Sequence, residues 1–506
     1  MYPDQDFHSG QDLPPNEADL TSDLELDVML LAMADEDKFL FDMARLGIHS
    51  RLTSPQEIAY RQQVLADCIA QPEVVRDLYD LAIEAITAEK KTLGWALFRD
   101  SPESIVHRTP QLLKLYVDAF RRLRGITDAH AAAFRSQGFA RFFSMIAKEL
   151  GDEYLAEIEA HIGELAFRRG TLLSARLGKG NKGTGYVVRR QPEQGWRDRL
   201  PGRNRNRNGY SFYLAERDEA GMRTLSDLTS RGLNGTANAL AQSTDHIKSF
   251  FEMLRAELGF YLGCLNLRSR LMAKGQPVCF PDPIGPAPAS ARHVRLSARG
   301  LYDASLALSL GQAGAVGNDV TADGKRLIMI TGANHGGKST FLRSVGLAQL
   351  MMQAGMFVAA ESFSSSVSTG IFTHFKREED ATMEKGKLDE ELDRMSVIAG
   401  QIRAGCLLLC NESFASTNER EGSEIARQII LALTEAGIRI IFVTHMYDLA
   451  ERQYAAGDPA ALFLRAERRP DGQRTFRVSP GEPLPTSFGH DLYRSIFRTA
   501  DQAAQA

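Results

Sequence analysis

The chain has 506 residues, 43% of them hydrophobic and 25% charged, with a formal net charge of −4. That length exceeds what one hydrophobic core supports, so more than one domain is expected. It contains no run of eighteen apolar residues and no charged-then-apolar leader, and its total charge is negative; these features argue against membrane insertion, secretion and a general nucleic-acid coat, and for a cytoplasmic protein.

Residues 1–24 are polar and proline-rich and read as a disordered tail. Residues 25–169 read as a helical domain: LELDVMLLAMADEDKFLFDMARLG, SPQEIAYRQQVLADCIA and QPEVVRDLYDLAIEAITAEKKTLG, with further helices around 110–124 and 128–168. Ser54-Pro55-Gln56-Glu57 is a helix start, with a capping hydroxyl ahead of a first-turn proline. Residues 170–240 change character, with a glycine cluster (GKGNKGTG), β-type segments (GYVVRRQ, GYSFYLAE) and PGRNRNRNG. Between Arg168 and Arg207 twelve Lys/Arg face only Glu193 and Asp198, a local excess of ten positive charges.

A charge run of this kind is often only a solvated loop. Here the Arg-Asn alternation and the interleaved Tyr186, Trp196 and Tyr210 suit a phosphate backbone. Arg189, Arg190, Arg203, Arg205 and Arg207 are the candidate contacts to DNA, without sequence preference; a Gly/Arg-rich loop suits RNA equally. Residues 241–275 return to helix, with Ile247, Phe250, Phe251, Leu254, Leu258, Tyr261, Leu262 and Leu265 at helical spacing. After the Pro/Gly-rich stretch GQPVCFPDPIGPAPAS, residues 276–480 alternate strand, loop and helix (RLIMI, FLRSVGLAQLMMQAG, CLLLC, SEIARQIILALTEAG, IRIIFV), the pattern of a parallel α/β sheet. Residues 481–506 form a C-terminal segment. The five cysteines, Cys68, Cys264, Cys279, Cys406 and Cys410, are odd in number and scattered, which suits reduced thiols rather than a disulfide frame or a zinc site.

Within this alternation TGANHGGKST, residues 331–340, fits the phosphate-loop pattern at Gly332, Gly337, Lys338 and Ser339. Such a loop, Gly332 through Ala333, Asn334, Gly336 and Gly337 to Thr340, turns backbone N–H groups toward phosphate oxygens ahead of a helix N-terminus. Lys338 would reach the β- and γ-phosphates of ATP and the Ser339 hydroxyl would bind Mg²⁺. Downstream, LLLCNE offers Glu412 as a base for water, with Asn411 at the metal side. By itself that segment reads equally well as a core strand running into a polar turn. His445, at the end of IIFVTH, would face the same crevice if its strand is parallel to the others.

These elements, in this order and spacing, resemble the ATPase domain of the MutS family of DNA mismatch repair proteins. The family loop has the form TGPN-x-GGKST, from which this chain departs at Ala333. GLAQLMMQAGMFVAAESF, IFTHFKREEDATMEKGKLDEEL, NESFASTNEREGSEIARQII, VTHMYDLAE and TSFGHDLY are similar to the segments that follow in the family. FLFDMARLGIHSRLTSPQEIAYRQQVLADCI is similar to the start of its core domain. The resemblance, over about 30–495, implies a helical core or lever domain with a small basic clamp-like insertion, followed by an ABC-type P-loop ATPase domain. It implies a Mg²⁺-dependent ATPase that binds DNA as a homodimer, each nucleotide lying between one subunit's P-loop and the other's signature segment. Gly386-Lys387 stand where the family has Ser-Thr in that segment. Asn411 stands for an aspartate that contacts Mg²⁺ through water, from which slow turnover is expected. The residues ahead of 30 leave no space for a mismatch-reading domain, so repair or recombination without classical mismatch reading is the expectation. Two alternatives stay open: an ATP-gated scaffold with little hydrolysis, and the motor subunit of a membrane transporter.

Overall fold

A computed structural model describes residues 2–5, 7, 13–93, 101–165, 167, 170–190, 213–215, 217–286, 294–311, 314–377 and 386–485. The chain divides into two compact units, Met1–Pro72 with Arg135–Gly138 and Ala256–Ala506, and Glu73–Phe134 with Phe139–Arg255. The architecture is mixed, helical in part and α/β with parallel strands in part.

The first unit is built on a six-stranded sheet. Its strands are β1 (Leu327–Gly332), β2 (Ile371–Phe375), β3 (Leu407–Asn411), β4 (Arg439–Val443), β5 (Ala461–Arg468) and β6 (Arg474–Pro480), in the spatial order 6-5-1-4-3-2. All pairings are parallel except β5 with β6. β1, β2 and β4 are buried along their whole length, because helices cover both faces. On one face α1 (Lys338–Gln353) buries Phe341, Leu342, Val345 and Met352. On the other, α2 (Lys387–Gln401), α3 (Glu419–Glu435) and α4 (Tyr447–Ala455) close a core that includes Met395, Ile398, Leu408, Ile430, Phe442 and Leu449. A second, four-stranded sheet orders Asp282–Ile284, Ser362–Ser366, Leu296–Leu301 and Asn318–Thr321.

Of the stretch 1–24 read as a disordered tail, residues 1, 6 and 8–12 lie outside the described residues, and its described end is ordered. Glu17–Asp23 is helical, Leu20 and Leu24 are fully buried, and Asn16 Nδ2 donates to the Ile371 carbonyl at 2.7 Å. Two leucines and one asparagine, too few for a periodic signal, suffice to dock this segment on the open edge of β2. Further in, Ser54 caps Pro55–Ala70 as expected, its hydroxyl accepting from Glu57 N.

The second unit is helical: Glu73–Leu93, Pro102–His130, Gln137–Glu149 (from Phe139), Asp152–Leu165 and the first part of Glu219–Ala273. Tyr116 and Phe120 stack on Phe251 with ring centroids 6.2 and 5.4 Å apart. Strands Leu172–Leu177 and Gly183–Arg189 form an antiparallel hairpin with an irregular register between Ser174 and Arg176. The helix expected over 241–275 is a 55-residue element that starts at Glu219, so helix takes up the last part of the stretch 170–240 expected to be β-type or loop. GYSFYLAE falls largely outside the described residues, and its described part, 213–215, carries no strand. Among the described residues, no helix is long and apolar enough to cross a membrane.

Candidate nucleotide-binding site

Strand register decides which side chains meet. Ile330 of β1 pairs with Val443 of β4, which pairs with Asn411 of β3. The phosphate loop, Glu412 and Thr444-His445 therefore leave the sheet at the same carboxyl-terminal edge, where parallel α/β sheets bind ligands.

The loop's glycines are required by their backbone. Gly332 has φ 106° and Gly337 φ 90°, both in the left-handed region. A Cβ on Gly332 would lie 2.9 Å from Ala466 N, and one on Gly337 3.2 Å from the Phe476 carbonyl oxygen. The β5–β6 hairpin thus lies against the loop. Lys338 opens α1 and is 6% exposed, its Nζ donating to the carbonyls of Gly332 at 3.0 Å and Ala333 at 3.3 Å. Burial pushes its pKa down, while the Glu412 carboxylate opposes that and Arg474 adds to it. The adjoining cleft, about 780 Å³, is lined by Asn334–Thr340 and Glu412, and on an apolar side by Leu306, Leu310, Val316 and Phe476. This lining offers a polar floor for phosphates beside an apolar wall for a base.

The Ser339 hydroxyl donates to Asn411 Oδ1 at 2.8 Å. Glu412 sits at φ 56°, its N–H donating to the Val443 carbonyl at 2.9 Å. Its Oε2 is hydrogen-bonded by His445 Nδ1, and this bond raises the His445 pKa against the opposing effect of burial. Phe414 is also left-handed, at φ 63°. Each such non-glycine residue costs roughly 1–2 kcal/mol, so the turn after β3 is strained and must be held by its surroundings.

The structure thus brings Lys338, Ser339, Asn411, Glu412 and His445 together. Gly386 precedes α2 and Lys387 opens it, and residues 378–385 of the segment IFTHFKREEDATMEKGKLDEEL lie outside the described residues. Arg189 and Arg190 belong to the second unit; Arg189 Nε donates to Ser174 Oγ at 2.9 Å and Arg190 pairs with Glu164 at 2.5 Å. Arg203, Arg205 and Arg207 lie outside the described residues.

Sequence reasoning missed the β6 contribution. Arg474 Nε donates to the Asn334 carbonyl at 3.3 Å, and Phe476 walls the cleft. Asn318 fixes this strand, accepting from Val478 N at 2.8 Å. Only the short apolar alternation in RTFRV could have suggested a strand there.

The model of the MutS2 N-terminal domain matches residues 53–274, and that of MutS domain V matches residues 328–489. The chain is 37% identical over 195 residues to a DNA mismatch repair protein MutS of Desulforamulus reducens, covering 35% of this chain and 22% of that protein. It is 36% identical over 160 residues to an endonuclease MutS2 of Thermomicrobium roseum (31% and 20%), and 36% identical over 137 residues to a DNA mismatch repair protein MutS of Thermotoga maritima (27% and 17%). The chain spans about a fifth of the length of these curated relatives. With one model matched over the helical portion and the other over the nucleotide cleft, in chain order, the chain belongs to the MutS family.

Proposed function

We propose that this protein is a Mg²⁺-dependent ATPase that binds DNA without sequence preference, and that ATP binding and hydrolysis control a dimeric clamp acting in DNA repair or recombination without classical mismatch reading. The observation that carries the proposal is the convergence of Lys338, Ser339, Asn411, Glu412 and His445 on one edge of the sheet.

The residues fit the nucleotide and its metal. The Ser339 hydroxyl and the Asn411 amide oxygen form a hard oxygen-donor pair beside the phosphate loop. Bound Mg²⁺ would neutralise charge that develops on the phosphates. Lys338 exchanges its two loop carbonyls for phosphate oxygens, with its charge kept in a nearly dry site. Glu412 orients a water and takes its proton, and His445 holds the carboxylate in place. Asn411 offers an acceptor oxygen without a negative charge, which weakens the hold on the metal and slows turnover. Gly386 and Lys387 face the nucleotide of a second copy, and the basic segment containing Arg189, Arg190, Arg203, Arg205 and Arg207 supplies the DNA contacts.

Phosphate release by the purified protein tests this reading. Glu412→Ala is expected to lower it on the order of 10²- to 10⁴-fold. Wild-type release no faster than buffer would reject the enzyme. The neutral Asn411 beside Ser339 favours one second reading, an ATP-gated DNA-binding scaffold. Nucleotide binding without phosphate release, with or without DNA, would support it.

A further inference from the structure

Glu412 does not hold its own position. The turn Glu412-Ser413-Phe414 has two left-handed residues around a fully buried serine, and β3 pairing ends one residue earlier. Behind it, on β2, lies His374, also fully buried and outside the lining of the cleft. Its ring is hydrogen-bonded at both nitrogens. Nε2 lies 3.0 Å from the Glu391 carbonyl, which can only accept, so Nε2 carries the proton. Burial pushes the His374 pKa down to about 4, so the ring is neutral near pH 7 and Nδ1 is an acceptor. The partner of Nδ1 is the Ser413 hydroxyl at 2.7 Å, whose single hydrogen also faces the His374 carbonyl oxygen at 2.7 Å. Phe414 then stacks on the same ring, with centroids 5.3 Å apart and 22° between planes. One histidine thus meets the two residues after Glu412, by hydrogen bond and by stacking, and fastens them to the helix that begins at Lys387.

Resting on the ATPase reading above, we propose that His374 is a positioning residue that holds the strained turn after β3, and with it the Glu412 carboxylate, in register with α2. Its effect passes through Ser413 and Phe414 to the orientation of Glu412. Lys338 and Ser339 both belong to the first turn of α1, which neither Ser413 nor Phe414 is part of, so His374 bears on turnover and not on nucleotide affinity. The two ring nitrogens have separate amide mimics. An asparagine at 374 places an acceptor where Nδ1 meets Ser413, whereas a glutamine places a donor where Nε2 meets the Glu391 carbonyl.

The experiment uses the full chain and compares wild type with His374→Ala, His374→Asn, His374→Gln and Ser413→Ala. Steady-state ATP hydrolysis is read as kcat and KM, and affinity for a fluorescent ADP analogue is read separately. His374→Ala and Ser413→Ala are expected to lower kcat about tenfold while KM and analogue affinity stay within about twofold. His374→Asn is expected to recover most of kcat, and His374→Gln is not. Unchanged kcat in a folded His374→Ala or Ser413→Ala protein, or equal rescue by Asn and Gln, would overturn the proposal. Hydrogen exchange provides a readout that needs no turnover. Amides of residues 411–417 should lose protection in Ser413→Ala and His374→Ala while those of 331–340 do not, and equal protection in wild type and variants would likewise overturn it. A wild-type protein without turnover but with this exchange pattern would reject the ATPase and keep the positioning role.

Discussion

In the nucleotide cleft each functional side chain is held by a named neighbour: Lys338 by two loop carbonyls, Ser339 by Asn411 and Glu412 by His445. Along the hairpin Leu172–Leu177 and Gly183–Arg189 every residue is exposed or half-buried, and the described basic side chains there meet solvent or surface partners. The contrast is between a site built from fixed distances and a surface built from charge density. In the first, one substitution removes a role that no neighbour can take over. In the second, effects add in small steps and fade with salt. Lys338→Ala should show the largest effect on nucleotide binding. Two charge-assisted hydrogen bonds to phosphate, at roughly 1.5 kcal/mol each, correspond to a loss of nucleotide affinity on the order of 100-fold. Titration with a fluorescent ATP analogue checks it, and affinity within threefold of wild type would break the comparison on the cleft side.

The basic segment should behave differently. Changing Arg203, Arg205 and Arg207 together to alanine should reduce the slope of log affinity for duplex DNA against log salt by about 2.7, at ~0.9 per phosphate contact. Adding Arg189→Ala and Arg190→Ala should remove up to about 1.8 more. Binding measured between 50 and 200 mM salt tests this, and an unchanged slope would remove the segment from the DNA surface. ATP turnover without DNA should be the same in these variants, which separates the two regions.

The same contrast explains what the sequence made legible. The parallel sheet could be read because RLIMI, CLLLC and IRIIFV are continuous apolar runs ending in the residues that converge, and the strand register then does the assembly. β6 could not be read from motifs. Arg474, Phe476 and the Asn318 bond that fixes the strand come together only through antiparallel pairing and a contact across 160 positions. Ser101-Pro102-Glu103 is the same kind of helix start as Ser54-Pro55, with Ser101 Oγ accepting from Ser104 N at 3.2 Å. The interior Pro110 disguised it, and the helix runs through to His130. In the same way Asn16 and Leu20 are single contacts that a polar composition hides, so Glu17–Asp23 read as tail. His374 gave no signal at all, because its role depends on a strained turn 39 positions away.

A smaller effect is expected at Asn411, where a single charge is in question and the fixed geometry stays the same. Asn411→Asp keeps an acceptor for Ser339 and adds a negative charge near the metal position. Acting through water at about 4 Å, one unit of charge against a divalent ion is worth on the order of 2 kcal/mol, or roughly thirtyfold in the Mg²⁺ concentration for half-maximal turnover. Phosphate release across a Mg²⁺ titration should therefore shift to lower concentration by about that factor. An unchanged titration would show that position 411 does not contribute to the metal's environment.

The smallest effect concerns a buried group outside both regions and tests whether fixed geometry in the first unit extends beyond the cleft. His49 is 4% exposed, and among the described residues neither ring nitrogen has a hydrogen-bond partner. Burial pushes its pKa down to about 4, with Glu17 opposing and Arg51 and Arg45 reinforcing the shift. The unfolded chain takes up this proton near pH 6.5 while the folded chain does not. The neutral ring's contribution is therefore complete above that pH and is lost as pH falls from 6.5 toward 4. At pH 5.5 the loss is about 1.4 kcal/mol for one such histidine. Asp23, whose carboxyl is pushed up by burial, acts in the opposite sense, and comparing a variant with wild type cancels it. His49→Gln should thus lose about one to two degrees less melting temperature between pH 7 and pH 5.5 than wild type does. The same drop in both proteins would mean that water reaches His49 in the folded state, and that tight packing in the first unit does not extend to this ring.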